Sequence, residues 1–251
     1  ANLIGNINAG GGGVNRNLVI NGAMNVAQRG TSVSLAHDAT GSGSAPDRFV
    51  AFFSNMDEFD GTLTQDSSAP DGFSNSLKWT TGTAESALAS DESFKVVHKI
   101  EAQNLQTLKY GDSGAVPVTL SFYVKSSITG TYGITLKQSD VSRNRGSTYT
   151  INSANTWEKK SITFSGDTSG VINDDNGEGL RIEWHLGAGS NFTASDNSDW
   201  ASTTDGRDAG SGHAQNGVVT TASATWFLTG CQLEIGQNET EFEHEPFERT
   251  L

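Results

Sequence analysis

The chain has 251 residues, 29 of them glycine, a single cysteine and a formal charge of −13. That length can bury a core without disulfides or metal, and the lone Cys231 excludes an internal disulfide framework and a cysteine-built zinc site. The negative charge repels a phosphate backbone and an anionic membrane surface alike. No apolar run reaches the length of a membrane helix, and Ala1-Asn2-Leu3-Ile4-Gly5 has neither the basic region nor the apolar core of a signal peptide. The expectation is a soluble, cytosolically made protein that neither binds nucleic acid nor inserts into membranes.

Residues 1–16 hold Asn2, Asn6, Asn8 and the run Gly10-Gly11-Gly12-Gly13, whose ordering costs too much entropy without an external surface. They read as an N-terminal arm, and residues 17–251 as one domain. Leu18-Val19-Ile20 reads as a short strand closed by the turn dipeptide Asn21-Gly22. Strand patterns follow at Asp47–Phe53, Ser76–Thr80 and Phe94–Ile100, then a short helix is expected over Glu101–Tyr110, where Leu105 and Leu108 are three apart. Val118 to Lys125 alternates Val118, Leu120, Phe122 and Val124 with polar or amphipathic partners, and Thr129-Gly130 is expected to turn it into a hairpin with Tyr132–Lys137.

Ser147–Ile151, Trp157–Phe164 and the stripe Leu180, Ile182, Trp184, Leu186 continue the series, with Arg181, Glu183 and His185 facing the other way. In Trp226–Ile235 simple alternation places Phe227, Thr229, Cys231, Leu233 and Ile235 on one face, with Cys231 a buried apolar residue. About ten strands, no long helix and a polar loop over Gly187–Val218 predict an all-β fold. An antiparallel jelly-roll β-sandwich solves the edge problem for that many strands.

Few motifs offer chemistry. Gly111-Asp112-Ser113-Gly114 resembles the nucleophile signature of chymotrypsin-like proteases, and Ala36-His37-Asp38 faintly their histidine motif, but the glycine expected next is Ala115 and most strands still follow. Gly187-Ala188-Gly189 follows a strand without a helix to receive a phosphate. Histidines 37, 98, 185, 213 and 244 show no metal-ligand spacing. No cofactor is expected apart from calcium, for which Asn173-Asp174-Asp175-Asn176-Gly177-Glu178 gathers hard oxygen donors at a turn, making Asp174, Asp175, Asn176 and Glu178 the candidate ligands without EF-hand spacing. The sequons at Asn191 and Asn238 carry no weight without a secretory signal. Four tryptophans lie in strand patterns and read as core, whereas Trp200 sits in a polar loop with Phe192, Asp196 and Asp199. An aromatic ring beside carboxylates suits a sugar, so these four are the candidate ligand-binding residues.

Several blocks together resemble the tail-fibre-like structural proteins of bacteriophages, particularly those of marine bacteria. They are Asn17-Leu18-Val19-Ile20-Asn21-Gly22-Ala23-Met24-Asn25-Val26-Ala27-Gln28-Arg29-Gly30-Thr31-Ser32, Asp47-Arg48-Phe49, the run 69–78, Lys99-Ile100-Glu101 with 102–106, Leu120 to Ser126, Asn155 to Lys160, and Gly230 to Gly236 with Thr240 to His244. A looser similarity links the Phe-Tyr-Val-Lys strand, the tryptophan-bearing strand and the last strand to carbohydrate-binding jelly rolls. The chain departs from the phage pattern in an insertion at His37–Ala45.

The resemblance implies a non-enzymatic virion surface protein, assembled in the host cytoplasm as a homo-oligomer, with a trimer favoured. The arm would contact other virion proteins, and the loops a host-surface glycan. The alternatives are a purely structural capsid-decoration or head-fibre protein and, last, a polysaccharide depolymerase.

Overall fold

A computed structural model describes residues 16–36, 39–211 and 216–244, so the expected arm at 1–16 lies outside it except for Arg16. Among the described residues the chain forms 13 strands: β1 (Ser32–Leu35), β2 (Ala39–Ser44), β3 (Phe49–Met56), β4 (Gly61–Asp66), β5 (Ser76–Thr81), β6 (Ser93–Glu101), β7 (Val118–Ser126), β8 (Gly130–Gln138), β9 (Arg143–Ile151), β10 (Glu158–Phe164), β11 (Glu178–Ala188), β12 (Ala201–Ser202) and β13 (Thr225–Ile235). They pair antiparallel in two sheets. The first runs β1-β4-β5-β13-β7-β10 and the second β12-β9-β8-β11-β6-β3-β2. This is the jelly-roll β-sandwich the sequence predicts.

Period-two alternation explains which side chains meet between the sheets. Trp79 of β5, Trp226 of β13 and Phe122 of β7 face Phe94 of β6, Trp184 of β11 and Ile134 of β8, and all six are fully buried. Phe59, Trp79 and Phe94 form one aromatic cluster with centroids 4.5–5.4 Å apart, Phe59 stacked on Trp79 and Phe94 tilted against both. Burial of such rings supplies about 2–3 kcal/mol each and dominates the stability of the sandwich.

Four expectations are corrected. Leu18-Val19-Ile20 is not a strand: the Asn17 side chain accepts from the amides of Val19 (2.9 Å) and Leu233 (3.0 Å) and donates to the Cys231 carbonyl (3.0 Å). A side chain thus does the work of a ladder and pins the segment along β13. The segments around Val118–Lys125 and Tyr132–Lys137 do not pair as a hairpin, because β7 lies in the first sheet and β8 in the second. The link crosses between sheets, and the Tyr132 hydroxyl donates to the Ile128 carbonyl at 2.7 Å to hold it.

In β13 the register shifts between Thr229 and Gln232, with Gly230 at φ 61°. This bulge re-phases the strand. Trp226, Leu228, Cys231 and Leu233 face the core, while Phe227 and Thr229 face outward. A side chain at 230 would meet the rings of Phe73 and Tyr123 at 2.7 and 2.9 Å, so glycine is required there. Cys231 is buried, and burial pushes its thiol pKa up. Finally, Trp157 precedes β10 and is only half-buried, outside the core.

Within the span read as an insertion, Ala39–Ser44 forms β2, an edge strand paired to β3. The expected helix is a 3-10 segment over Ala102–Leu108 that buries Leu105 and Leu108.

Candidate functional site

The two outer faces of the sandwich offer different surfaces. On the first sheet, β7 and β13 turn Tyr123, Lys125 and Phe227 outward, beside Trp157. The rings are already engaged. Lys125 Nζ lies 4.0 Å from the Phe227 centroid and 4.9 Å from that of Trp157, and Phe73 packs on Tyr123, Phe242 and His244 at 5.0–5.4 Å. Lys125 thus caps one face each of Phe227 and Trp157. This cluster fastens the loop around Phe73 and the segment at Phe242 to the sheet.

On the second sheet the outward row of β11 is Arg181, Glu183 and His185, flanked by Lys95 and Lys99 of β6 and by Thr135 and Lys137 of β8. The long loop after β11 covers half of this face. Thr135 Oγ1 donates to the Asp208 carbonyl (2.6 Å), Gly146 N to the Asn197 carbonyl (2.5 Å), and Arg207 reaches the Asp199 carbonyl (2.6 Å), the Asn144 side chain (3.1 Å) and the Asp196 carbonyl. Beneath it Glu183 meets Lys95 at 3.0 Å, and Lys95 and Lys137 meet Asp208 at 3.8 and 3.2 Å. Burial raises the Glu183 carboxyl, but the neighbouring Lys95, His185 and Lys137 outweigh it and hold it low. Burial dominates at His185 and depresses its pKa to about 4.

Trp200 is tied inward. Its indole N–H donates to the Ser165 carbonyl at 2.7 Å, and its ring meets Tyr110 edge-on at 5.7 Å. Asp196 is exposed and accepts from Ser198; Asp199 is exposed and Phe192 half-buried. None of these four lines the cleft described next.

The uncovered half of the second face opens into a cleft of about 480 Å3 at the β3–β6–β11 end, within the range of small-molecule sites. Val50 forms part of its apolar floor, and Gln28, Arg29, Asp47, Arg48, Lys99, Glu101 and Glu178 supply its polar groups. Arg48 has a left-handed φ of 75°, a conformation that costs about 1 kcal/mol or more outside glycine. Its Nη2 grips both Glu101 oxygens at 2.7 and 2.9 Å. Asp47 accepts from the amides of Gln28 and Arg29 at 2.9 and 3.3 Å, which shapes the rim. Glu178 accepts from Lys99 (2.8 Å), Arg181 (2.5 Å) and Ser139. Burial would raise Glu101 and Glu178, yet Arg48 holds the first below the ordinary carboxylate range and Lys99, Ser139 and Arg181 hold the second there.

The turn read as a calcium ligand set contributes Asn176, Gly177 and Glu178 to this cleft. Glu178 is spent on cations, and Asp175 accepts from Gly177 N at 2.8 Å. Among the described residues the acidic oxygens that come within 4.8 Å of one another belong instead to Asp57, Glu85 and Glu92. The Gly-Asp-Ser-Gly segment is an exposed turn in which Asp112 accepts from Gly114 N at 2.6 Å; His37 lies outside the described residues.

The residues singled out by composition and loop character therefore miss the cleft, apart from the calcium turn. Its other walls come from Val26 to Arg29, from Ser44 and Asp47 to Val50, and from Lys99-Ile100-Glu101. One signal lay in the alternation of β6, which puts Lys95, Lys99 and Glu101 on the same side as Arg181 and Glu183.

No protein-family model matches the chain, and no curated protein sequence matches it. Solved structures similar to it include the enzymatically active domain of tailspike protein 4 of bacteriophage CBA120, at 10% identity over 88% of this chain and 21% of that one, with a TM-score of 0.44. The chain thus spans only 21% of that domain. The family 11 carbohydrate-binding module of a Clostridium thermocellum cellulosomal cellulase is similar at 14% identity, over 86% of this chain and 95% of that one, with a TM-score of 0.36. The CBM22-2 xylan-binding domain of Paenibacillus barcinonensis Xyn10C gives 13%, 70%, 87% and 0.36. The fold assignment rests on the strand order itself.

Proposed function

We propose that the protein is a non-enzymatic glycan-binding module of a phage virion surface, and that the cleft beside Arg48 is where the glycan sits. The carrying observation is that cleft: the open half of the second sheet's outer face, with an apolar floor, fixed donors and acceptors on its walls, and a strained residue pinned at its rim. A pre-organised ring of this kind fits hydroxyl-rich ligands. The phage resemblance of the blocks that build it supports the virion role, a homotrimer and contacts of the arm with other virion proteins.

The non-enzymatic reading is supported by the protonation of the cleft. A glycosidase needs one carboxyl raised so that it is protonated and can act as general acid. Against burial, Arg48 holds Glu101 below the ordinary carboxylate range, and Lys99, Ser139 and Arg181 hold Glu178 there, so neither of these two suits the acid role. Release of reducing ends from host polysaccharide by the purified protein would contradict this.

The test is binding of the protein to host cells and to extracted surface polysaccharide. Wild type binds and Arg48→Gln binds about tenfold more weakly, the scale of one charge-assisted hydrogen bond. Full decoration of virions together with no binding of either form to host surfaces would favour the capsid-decoration reading.

A further inference from the structure

The cleft's hydrogen-bonding groups are unevenly spent. Both oxygens of Asp47, Glu101 and Glu178 already accept at least one hydrogen bond or ion-pair contact from the protein's own groups. The donors are not exhausted. Among the described residues the Arg29 guanidinium is exposed and makes no hydrogen bond or ion pair, although its backbone amide is fixed by Asp47. Arg48 uses Nη2 on Glu101 and, among the described residues, makes no hydrogen bond through Nε or Nη1. Lys99 makes one ion pair while its side chain stays 56% exposed. A guanidinium carries five N–H donors and no acceptor, and an ammonium three. What the cleft offers in excess is cationic donors, on Arg29, Arg48 and Lys99, beside the Gln28 and Asn176 amides and the Ser44 hydroxyl oxygen.

We infer that the cleft selects a glycan bearing an anionic substituent, a uronate carboxylate or a sulfate ester, and that Arg29 is its specificity-determining residue. This inference rests on the cleft being the glycan site. Arg29 is the group best able to take a planar carboxylate through two parallel N–H bonds, since none of its donors is committed. Lys99 adds a point charge on the β6 side.

The chain's charge of −13 opposes anion capture at long range, but that repulsion is screened beyond about 8 Å at physiological salt. Among the described residues, Arg29 and Asp47 are the cleft's charged side chains without an ion pair, and Asp47 is held by the amides of Gln28 and Arg29, which leaves the Arg29 guanidinium as the cation open to an anion. Local contact therefore decides which ligand is held, and the overall charge slows only the approach.

The experiment is calorimetry on the full chain with oligogalacturonate, a sulfated oligosaccharide and neutral cello-oligosaccharide, at low and high salt. An anionic probe should bind about tenfold tighter than the neutral one, the difference shrinking with salt. Arg29→Gln should bring the probes to within about threefold, and Arg29→Glu should abolish anionic binding. Both substitutions are at an exposed side chain and leave the core intact. Which anionic probe binds separates carboxylate from sulfate recognition. Equal affinity for all probes, unchanged by Arg29→Gln, would overturn the inference while leaving glycan binding standing. Failure of every probe and of host polysaccharide to bind would overturn both.

Discussion

On the first sheet's outer face, Phe73, Tyr123, Phe227 and Trp157 contact one another or are capped by Lys125, so its aromatic groups are satisfied within the chain. The second sheet's outer face carries charged groups instead. Glu183, Lys95 and Lys137 are sealed beneath a loop, while Lys99, Glu101 and Glu178 are left at the wall of a cleft with donors to spare. The contrast teaches that aromatic content alone is a poor guide to an open surface. What matters is whether a group's partners lie within the protein or must come from outside.

Acid tests the sealed half most severely. His185 faces Glu183, Lys95, Asp208 and Lys137 and is neutral in the fold, its pKa depressed from 6.5 to about 4. The unfolded chain takes up a proton that the folded one refuses, so stability is full above pH 6.5 and falls as pH drops toward 4, by about 3 kcal/mol. His98, buried and depressed to about 3, adds loss of the same sign. Glu183, held low, adds a further loss below its ordinary carboxylate range. Protection factors in 189–211, taken relative to the intrinsic exchange rate at each pH, should fall from pH 7 to pH 5, and His185→Gln should flatten that slope. A slope unchanged by the substitution would remove His185 from the account.

Steric disruption comes next. A side chain at Gly146 would lie 1.9 Å from Asn197 Nδ2, so Gly146→Val should expel Asn197 and lift the loop, costing about 2 kcal/mol in denaturant melts. Cleft binding should survive, because the loop residues do not line it. Trp157→Ala on the opposite face should cost about 1 kcal/mol through the lost Phe227 and Lys125 contacts and leave glycan affinity unchanged. Arg48→Gln should do the reverse. Its pair with Glu101 is one-third exposed and worth less than about 1 kcal/mol to stability, while binding falls.

The alternating stretches made most of the sandwich legible in the sequence. Phe94 to Ile100 and Leu180 to Leu186 each mark a strand with one apolar face without reference to any partner, although the loop after β11 buries most of their other face as well. Strands β2 and β4 were hidden because their sequences, Ala-Thr-Gly-Ser-Gly-Ser and Gly-Thr-Leu-Thr-Gln-Asp, carry almost no apolar signal. Glycine is required in them for close approach: side chains at Gly41 and Gly61 would meet Phe53 and Trp79 at 2.7 and 2.4 Å. Sheet membership of β7 and β8 was invisible because alternation fixes a face and not a neighbour. Trp200 attracted a ligand assignment for its polar setting, yet Ser165 and Tyr110, the groups that engage it, lie 35 and 90 positions away in sequence. The cleft likewise joins residues from four separate stretches, and only the fold reveals which of their charges are already paired.

The central claim is that recognition belongs to the open half of the second face. Amide hydrogen exchange of the full chain, with and without host surface polysaccharide, tests it most directly. Protection confined to 26–29, 44–50, 99–101 and 176–178 is the predicted result. Protection around Tyr123, Trp157 and Phe227, with the cleft unchanged, would contradict it.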